Sequence, residues 1–120
     1  MKLKEYLTKE EQYSLVYYAG RSWTGSLLSM RLLPNGLNFS RYGFIVSKRV
    51  GKAVVRNRVK RLLREILRQI SLKPGWDIVF YTRPAAAGAN FNELRNLILS
   101  LLSKAQLLME NYEKVCPGTN

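Results

Sequence analysis

Arg41-Tyr42-Gly43-Phe44-Ile45-Val46-Ser47, then Lys48-Arg49-Val50-Gly51-Lys52, then Ala53-Val54-Val55-Arg56-Asn57-Arg58-Val59-Lys60-Arg61-Leu62-Leu63-Arg64-Glu65, reads as a strand, a basic loop and the opening of a long helix. In the first block Tyr42, Phe44 and Val46 alternate with Gly43, Ile45 and Ser47, a period of two that sends the two sets to opposite faces of a sheet. Gly51 interrupts that pattern, and a helical period follows from about Val54 to Ile70. Val55, Val59, Leu62, Leu63, Ile66 and Ile70 fall within an arc of about 100°, the width of a stripe that packs on a core. Arg56, Asn57, Lys60, Arg61, Arg64 and Arg68 take most of the other side, with Arg58 near the boundary.

Working outward toward the N-terminus, Leu27 to Leu33 reads as a second strand, with Leu28, Met30 and Leu32 on one face and Ser29 and Arg31 on the other. Pro34-Asn35-Gly36 marks a turn, and a hairpin is the simplest join to the strand at Arg41–Ser47. Thr8-Lys9-Glu10-Glu11 has the form of a capping box, which predicts a helix to about Ala19 closed by Gly20 in the left-handed cap position. Tyr13 and Tyr17 share one face of that helix, with Val16 nearby. Trp23 falls in a Gly/Ser/Thr-containing loop, where packing and base stacking are equally good readings. Toward the C-terminus, Lys73-Pro74-Gly75 stops the long helix, and the apolar run Asp77–Thr82 predicts a central strand covered on both faces. Pro84 and Gly88 bracket a small-residue loop. Asn90 with Glu93 offers another capping box, and a last helix runs to about Glu110. Residues 112–120 read as a frayed tail. These elements make one α+β domain spanning residues 1–120, consistent with a 120-residue chain.

The charge is concentrated. The chain carries 20 Lys and Arg against 8 Asp and Glu, a net charge of +12. Ten of those basic residues and a single acid, Glu65, lie between Arg41 and Arg68. Arg56, Lys60, Arg64 and Arg68 form an i,i+4 ladder of one sign, unfavourable in isolation and favourable against phosphates. Arginine outnumbers lysine along this helix, and its planar fork grips phosphates and stacks on bases. A solvated basic face is the competing reading. The loop residues Lys48, Arg49 and Lys52 add charge beside a helix N-terminus, itself an anion site. Tyr13 and Tyr17 are either core or, with Ser29, Arg31 and Ser47 of the sheet, part of a polar, basic and aromatic groove of the kind single-stranded nucleic acid prefers.

Several chemistries are excluded. There is no His, hence no Ser–His or Cys–His nucleophile. Asp77 is the only Asp, and no carboxylate pair suits acid–base or two-metal work. The one Cys, Cys116, can form neither an internal disulfide nor a zinc site, which fits a reducing cytosol and predicts a cytoplasmic protein. Met1-Lys2-Leu3-Lys4-Glu5 is charged and leads into no apolar signal-peptide run. No stretch is long and apolar enough to span a bilayer.

The segment Arg41–Glu65 closely resembles the bacterial ribonuclease P protein component, with its Ser-Lys-Arg-Val-Gly-Lys-Ala-Val loop and Arg-Asn-Arg helix start. Tyr13 and Tyr17 stand where that family has aromatics, commonly Phe, on its first helix. Arg31 stands near a family aromatic of the first strand. Trp76-Asp77-Ile78-Val79 and Arg83-Pro84-Ala85 are similar to the family's last strand and exit loop. The resemblance implies a two-layer α+β domain of order α-β-β-β-α-β-α with a left-handed βαβ crossover, although such connections are right-handed in about 98% of cases. It also implies the small subunit of a ribonucleoprotein that removes the 5′ leader of precursor tRNA. Catalysis would belong to the RNA, with magnesium held mainly by RNA and substrate and none in the protein. Lys48, Arg49, Lys52, Arg56, Asn57, Arg58, Lys60, Arg61, Arg64 and Arg68 would dock on that catalytic RNA, and Tyr13, Tyr17, Arg31 and Ser47 would line the leader cleft. A ribosomal or RNA-chaperone module is the alternative. A DNA reader is disfavoured because the helix has few base-reading Gln, Asn or Ser positions. A membrane-surface helix is disfavoured because its apolar face is needed by the sheet.

Overall fold

The computed structural model describes residues 4–108. The expected tail at 112–120, Cys116 and the last two residues assigned to the final helix lie outside that range, and the helix itself ends at Lys104, short of the expected Glu110. Strands β1 (Lys4–Tyr6), β2 (Arg21–Thr24), β3 (Leu28–Pro34), β4 (Ser40–Ile45) and β5 (Trp76–Thr82) form one sheet in the order β1-β4-β5-β3-β2. The helices are α1 (Glu10–Ala19), α2 (Ala53–Arg68) and α3 (Phe91–Lys104).

The apolar run read as a central strand is β5. It pairs antiparallel with β3 and parallel with β4, and Ile78, Val79 and Phe80 are fully buried. Its position overturns the hairpin expected between β3 and β4. The turn at Asn35 does reverse the chain, but β5 lies between the two strands it joins. β5, with Ile78, Val79 and Phe80 fully buried, loses more by lying at an edge than the half-polar β3 and β4 lose by separating. The hairpin instead joins β2 to β3, and Trp23, placed in a loop by sequence, sits in β2 opposite Met30. β1 was not foreseen. Three residues carry no readable period, and the strand exists because β4 offers it a free parallel edge.

The sheet is covered on both faces. Leu28, Met30, Leu32, Tyr42, Ile78 and Phe80 pack with α2 and α3, and α2 buries Val59, Leu63, Ile66 and Leu67. On the other face Val16 of α1, Leu7 and Val79 form a small cluster with Tyr13, Leu33 and Tyr81. The two-layer arrangement expected therefore gains a partial third layer, a single helix across the far side.

Tyr42 turns its ring toward α2 and its carbonyl toward β1, where it accepts from Leu7 N–H at 2.8 Å. For an L-residue in a strand these two directions determine the rest. Seen from α2 with β4 running upward, β1 lies to the right and β5 to the left. The β4–α2–β5 connection is thus left-handed, against the general rule.

The helix ends differ in how well they were foreseen. Asn90 and Glu93 cap α3 reciprocally, as the sequence predicts. At α1 the cap is shifted by one residue: the Gln12 side chain, not Glu11, accepts from the amides of Thr8 and Lys9. Gly20 is extended, with φ −78°, and not left-handed. Glycine is needed there for space, since a Cβ would come within 2.4 Å of the Val16 carbonyl oxygen.

Across β4 and β5, Arg41 grips Asp77 through both carboxylate oxygens, at 2.8 and 2.7 Å, and Asn35 donates to the same carboxylate at 3.0 Å. Asp77 is 4% exposed. Replacing Asp77 by Ala removes the buried carboxylate to which Arg41 and Asn35 both donate and should destabilise the fold by about 3 kcal/mol, the cost of breaking a charge-assisted pair whose acceptor is buried. Urea denaturation of the variant beside the unmodified chain measures it.

Candidate nucleic-acid interface

Two surfaces carry the charge and the rings singled out in the sequence. The first is built on the exposed side of α2 and the loop before it. After β4 the chain makes a 3-10 turn at Lys48–Val50 and passes Gly51, whose φ of +154° favours glycine, before Lys52 takes the N-cap position. The Lys52 side chain does not cap the helix, so the first amides of α2 open beside Lys48, Arg49 and Lys52, which are all exposed. Asn57, Arg61, Arg64 and Arg68 are exposed farther along, and Arg56, Arg58 and Lys60 are half-buried.

These basic residues are not equivalent. Arg58 donates to the carbonyls of Ala87 (3.4 Å) and Ala89 (3.0 Å), so it pins the 3-10 turn Pro84–Gly88 against the start of α2. Arg56 donates to the Gly51 carbonyl at 3.1 Å and braces the loop. Arg68 pairs with Glu65. Among the described residues Arg61 and Arg64 make no ion pair, leaving their guanidinium groups to solvent or a ligand. Of the basic residues named from the sequence, Arg56 and Arg58 also hold the structure.

The second surface is the groove between α1 and the sheet. Gly43 lets α1 approach closely: a Cβ there would lie 2.2 Å from the Tyr13 hydroxyl. The Tyr13 ring thus lies on β4, and its hydroxyl donates to the Leu7 carbonyl at 3.1 Å. Burial raises the Tyr13 pKa above its ordinary value. One turn on, Tyr17 is 49% exposed. The Arg31 guanidinium stands 4.7 Å over the Tyr17 ring and donates to the Tyr17 carbonyl at 2.9 Å. Tyr81 completes this group, its ring 6.0 Å from Tyr17 at 66°. Tyr13, Tyr17 and Arg31 are therefore brought to one groove. Tyr13 is closer to a packing residue, and Tyr17 is the ring that faces solvent.

Ser47 is not in that group. β4 ends at Ile45, and Ser47 lies past it, lining a separate hollow of about 410 Å³ with Ser26, Arg49, Thr82 and Arg83. The hollow opens at the carboxyl ends of the parallel pair β4 and β5. Tyr81 and Arg83 were absent from the sequence-derived site. Tyr81 sits in a run read as nearly continuously apolar, and its face becomes evident only from its pairing with Ile45 and Ser29. The described residues contain no group of three His, Cys, Asp or Glu side chains placed to hold a metal ion, and no described helix is long and apolar enough to cross a membrane.

A family model described as Ribonuclease P matches residues 1–106. The chain belongs to the ribonuclease P protein family. The ribonuclease P protein component of Dehalococcoides mccartyi (strain CBDB1) is 52% identical over 114 residues, 95% of either chain. That of Alkaliphilus oremlandii is 44% identical, covering 90% of this chain and 96% of its own. The solved RNase P protein from Thermotoga maritima is similar with a TM-score of 0.74 at 30% identity, over 82% of this chain and 94% of that one. The family's strand–helix order is the one seen here, with β1 as an additional edge strand.

In this ribonuclease P family member the contact of Tyr13 with Gly43 is testable by a double-mutant cycle. Gly43→Ala should cost about 1–3 kcal/mol by overpacking. In a Tyr13→Ala background the same change should cost almost nothing, since the ring it strikes is gone. Thermal unfolding of the four proteins gives the coupling.

Proposed function

We propose that the chain is the RNA-binding subunit of a cytoplasmic ribonuclease P ribonucleoprotein, docking on the catalytic RNA through α2 and its preceding loop and holding the single-stranded 5′ leader of precursor tRNA in the α1–sheet groove. The observation that carries this is the pairing of a surface rich in exposed cations, with Glu65 its one carboxylate, with a separate groove that is aromatic, cationic and too polar to be core. Ribosomal and chaperone proteins share the first feature. The family membership favours the ribonucleoprotein.

In this reading the protein supplies electrostatics and positioning and the RNA supplies the chemistry. Arg61 and Arg64 neutralise phosphates of the catalytic RNA. Lys48, Arg49 and Lys52 surround the N-terminus of α2, where unpaired amides add to their field. Tyr17 stacks on a leader base, and Arg31 follows the leader backbone. Magnesium is held mainly by RNA phosphates and substrate. With no His in the chain, no imidazole is available as a general base.

Arg64→Ala should weaken binding of the catalytic RNA by about 1–3 kcal/mol while leaving the melting temperature unchanged. Arg58→Ala should lower both, because it also releases the Ala87 and Ala89 carbonyls. Filter binding across a salt series, with a melting curve for each variant, separates the two roles. The log–log salt slope should be several units if about six or more phosphates are neutralised. A flat response would return α2 to a merely solvated face.

Tyr17→Ala should weaken precursor tRNA by roughly 1–3 kcal/mol and spare mature tRNA, the loss expected for one stacked base. Equal loss for both substrates would remove the leader from the groove.

A further inference from the structure

The sheet face beneath the last turn of α1 contains a polar atom that the fold leaves without a partner. The Tyr81 hydroxyl is buried and, among the described residues, makes no hydrogen bond. Native proteins rarely leave a buried hydroxyl unpaired. What lies over this part of the face is not solid core. Tyr17 is half-exposed, and the Arg31 guanidinium lies 4.7 Å from the Tyr17 ring centre and 6.0 Å from that of Tyr81. Arg31 is itself partly exposed and is tethered to α1 by one hydrogen bond to the Tyr17 carbonyl. A planar cation thus occupies a face of the ring on which a nucleobase would stack.

We propose that Tyr81 is a specificity-determining residue of the leader groove: a leader base replaces the Arg31 guanidinium on Tyr17, and the Tyr81 hydroxyl, uncovered by that exchange, hydrogen-bonds the edge of the base. The proposal rests on the leader reading above and names the residue that reads sequence within it. The exchange breaks one bond inside the protein, that from Arg31 to the exposed Tyr17 carbonyl, which water can replace. Tyr17 trades a stacked cation for a stacked base, the guanidinium moves to a leader phosphate, and the hydroxyl gains the bond it lacks. Burial holds the hydroxyl protonated, so it can donate to an acceptor on the base edge. A ring alone accepts any base. A buried hydroxyl discriminates, because the wrong base leaves it unpaired again.

The test uses full-length protein assembled with a bacterial ribonuclease P RNA, and precursor tRNAs carrying each base in turn at each leader position. The unmodified protein should prefer one base at one position. Tyr81→Phe should cut that preference by about three- to tenfold, with a melting temperature equal to or above the original, since it deletes an unpaired buried group. Arg31→Met should keep the base preference and lower the salt slope for leader binding by about 0.7, one single-strand phosphate. Full base preference in Tyr81→Phe, or none at any position in the unmodified protein, overturns the assignment of Tyr81. An unchanged slope in Arg31→Met overturns the exchange. If the unmodified protein binds leader-bearing and leaderless tRNA equally, the leader groove itself is wrong.

Discussion

Strand β5 has to be buried on both faces, and the rest of the structure follows from that requirement. Ile78 and Phe80 point to one side and Val79 and Tyr81 to the other, so a strand must flank each edge and helices must lie above and below. β3 and β4 supply the edges. α2 and α3 cover one face with a large core, and α1 crosses the other with little more than Val16 and the Tyr13 ring. Because that second cover is narrow, part of the sheet face stays open, and it is this remainder that holds Tyr17, Arg31 and Tyr81.

Helix α2 serves two environments at once. Its buried stripe, Val59, Leu63, Ile66 and Leu67, is continuous with the core, while its other side collects cations with few carboxylates to offset them. The like-charge repulsion along Arg56, Lys60, Arg64 and Arg68 is tolerable because burial of the stripe outweighs a few tenths of a kcal/mol per pair, about the size of each i,i+4 term. Arg58 shows how such a helix is tied to its neighbours. Its guanidinium satisfies two carbonyls in the turn after β5, which ties the basic surface to the segment that follows β5.

The groove depends on one small residue. Without a side chain at Gly43, Tyr13 can lie on β4, and α1 is held close enough for Arg31 to reach the Tyr17 carbonyl. Asp77 and Arg41 perform the corresponding task at the other end of the same face, where a bidentate ion pair ties the parallel strands together. From the Gly43 row outward, on the side away from that ion pair, the sheet face carries Arg31, Ser29 and Tyr81, a composition unsuited to a dry core and suited to a wet, reversible ligand.

Local patterns alone located α2, α3, β3, β4 and β5, because each has a stripe, an alternation or, for β5, a nearly continuous apolar run set by its own residues and by the geometry of a single element. The charge count and the loop at Lys48–Lys52 were equally legible, since net charge needs no fold. Sheet order was not. Nothing local in Leu28–Pro34 or Ser40–Ile45 says that a strand from residues 76–82 will pass between them. That choice is made by the burial demand of β5 and the room α2 needs to return. β1 was invisible because its three residues take their conformation from the edge of β4. The place of Ser47, outside the aromatic groove, followed from where β4 stops pairing. The double duty of Arg58 and the packing of the Tyr81 ring against Tyr17 are contacts between segments about 30 and 60 residues apart along the chain, and such contacts exist only when the chain has closed on itself.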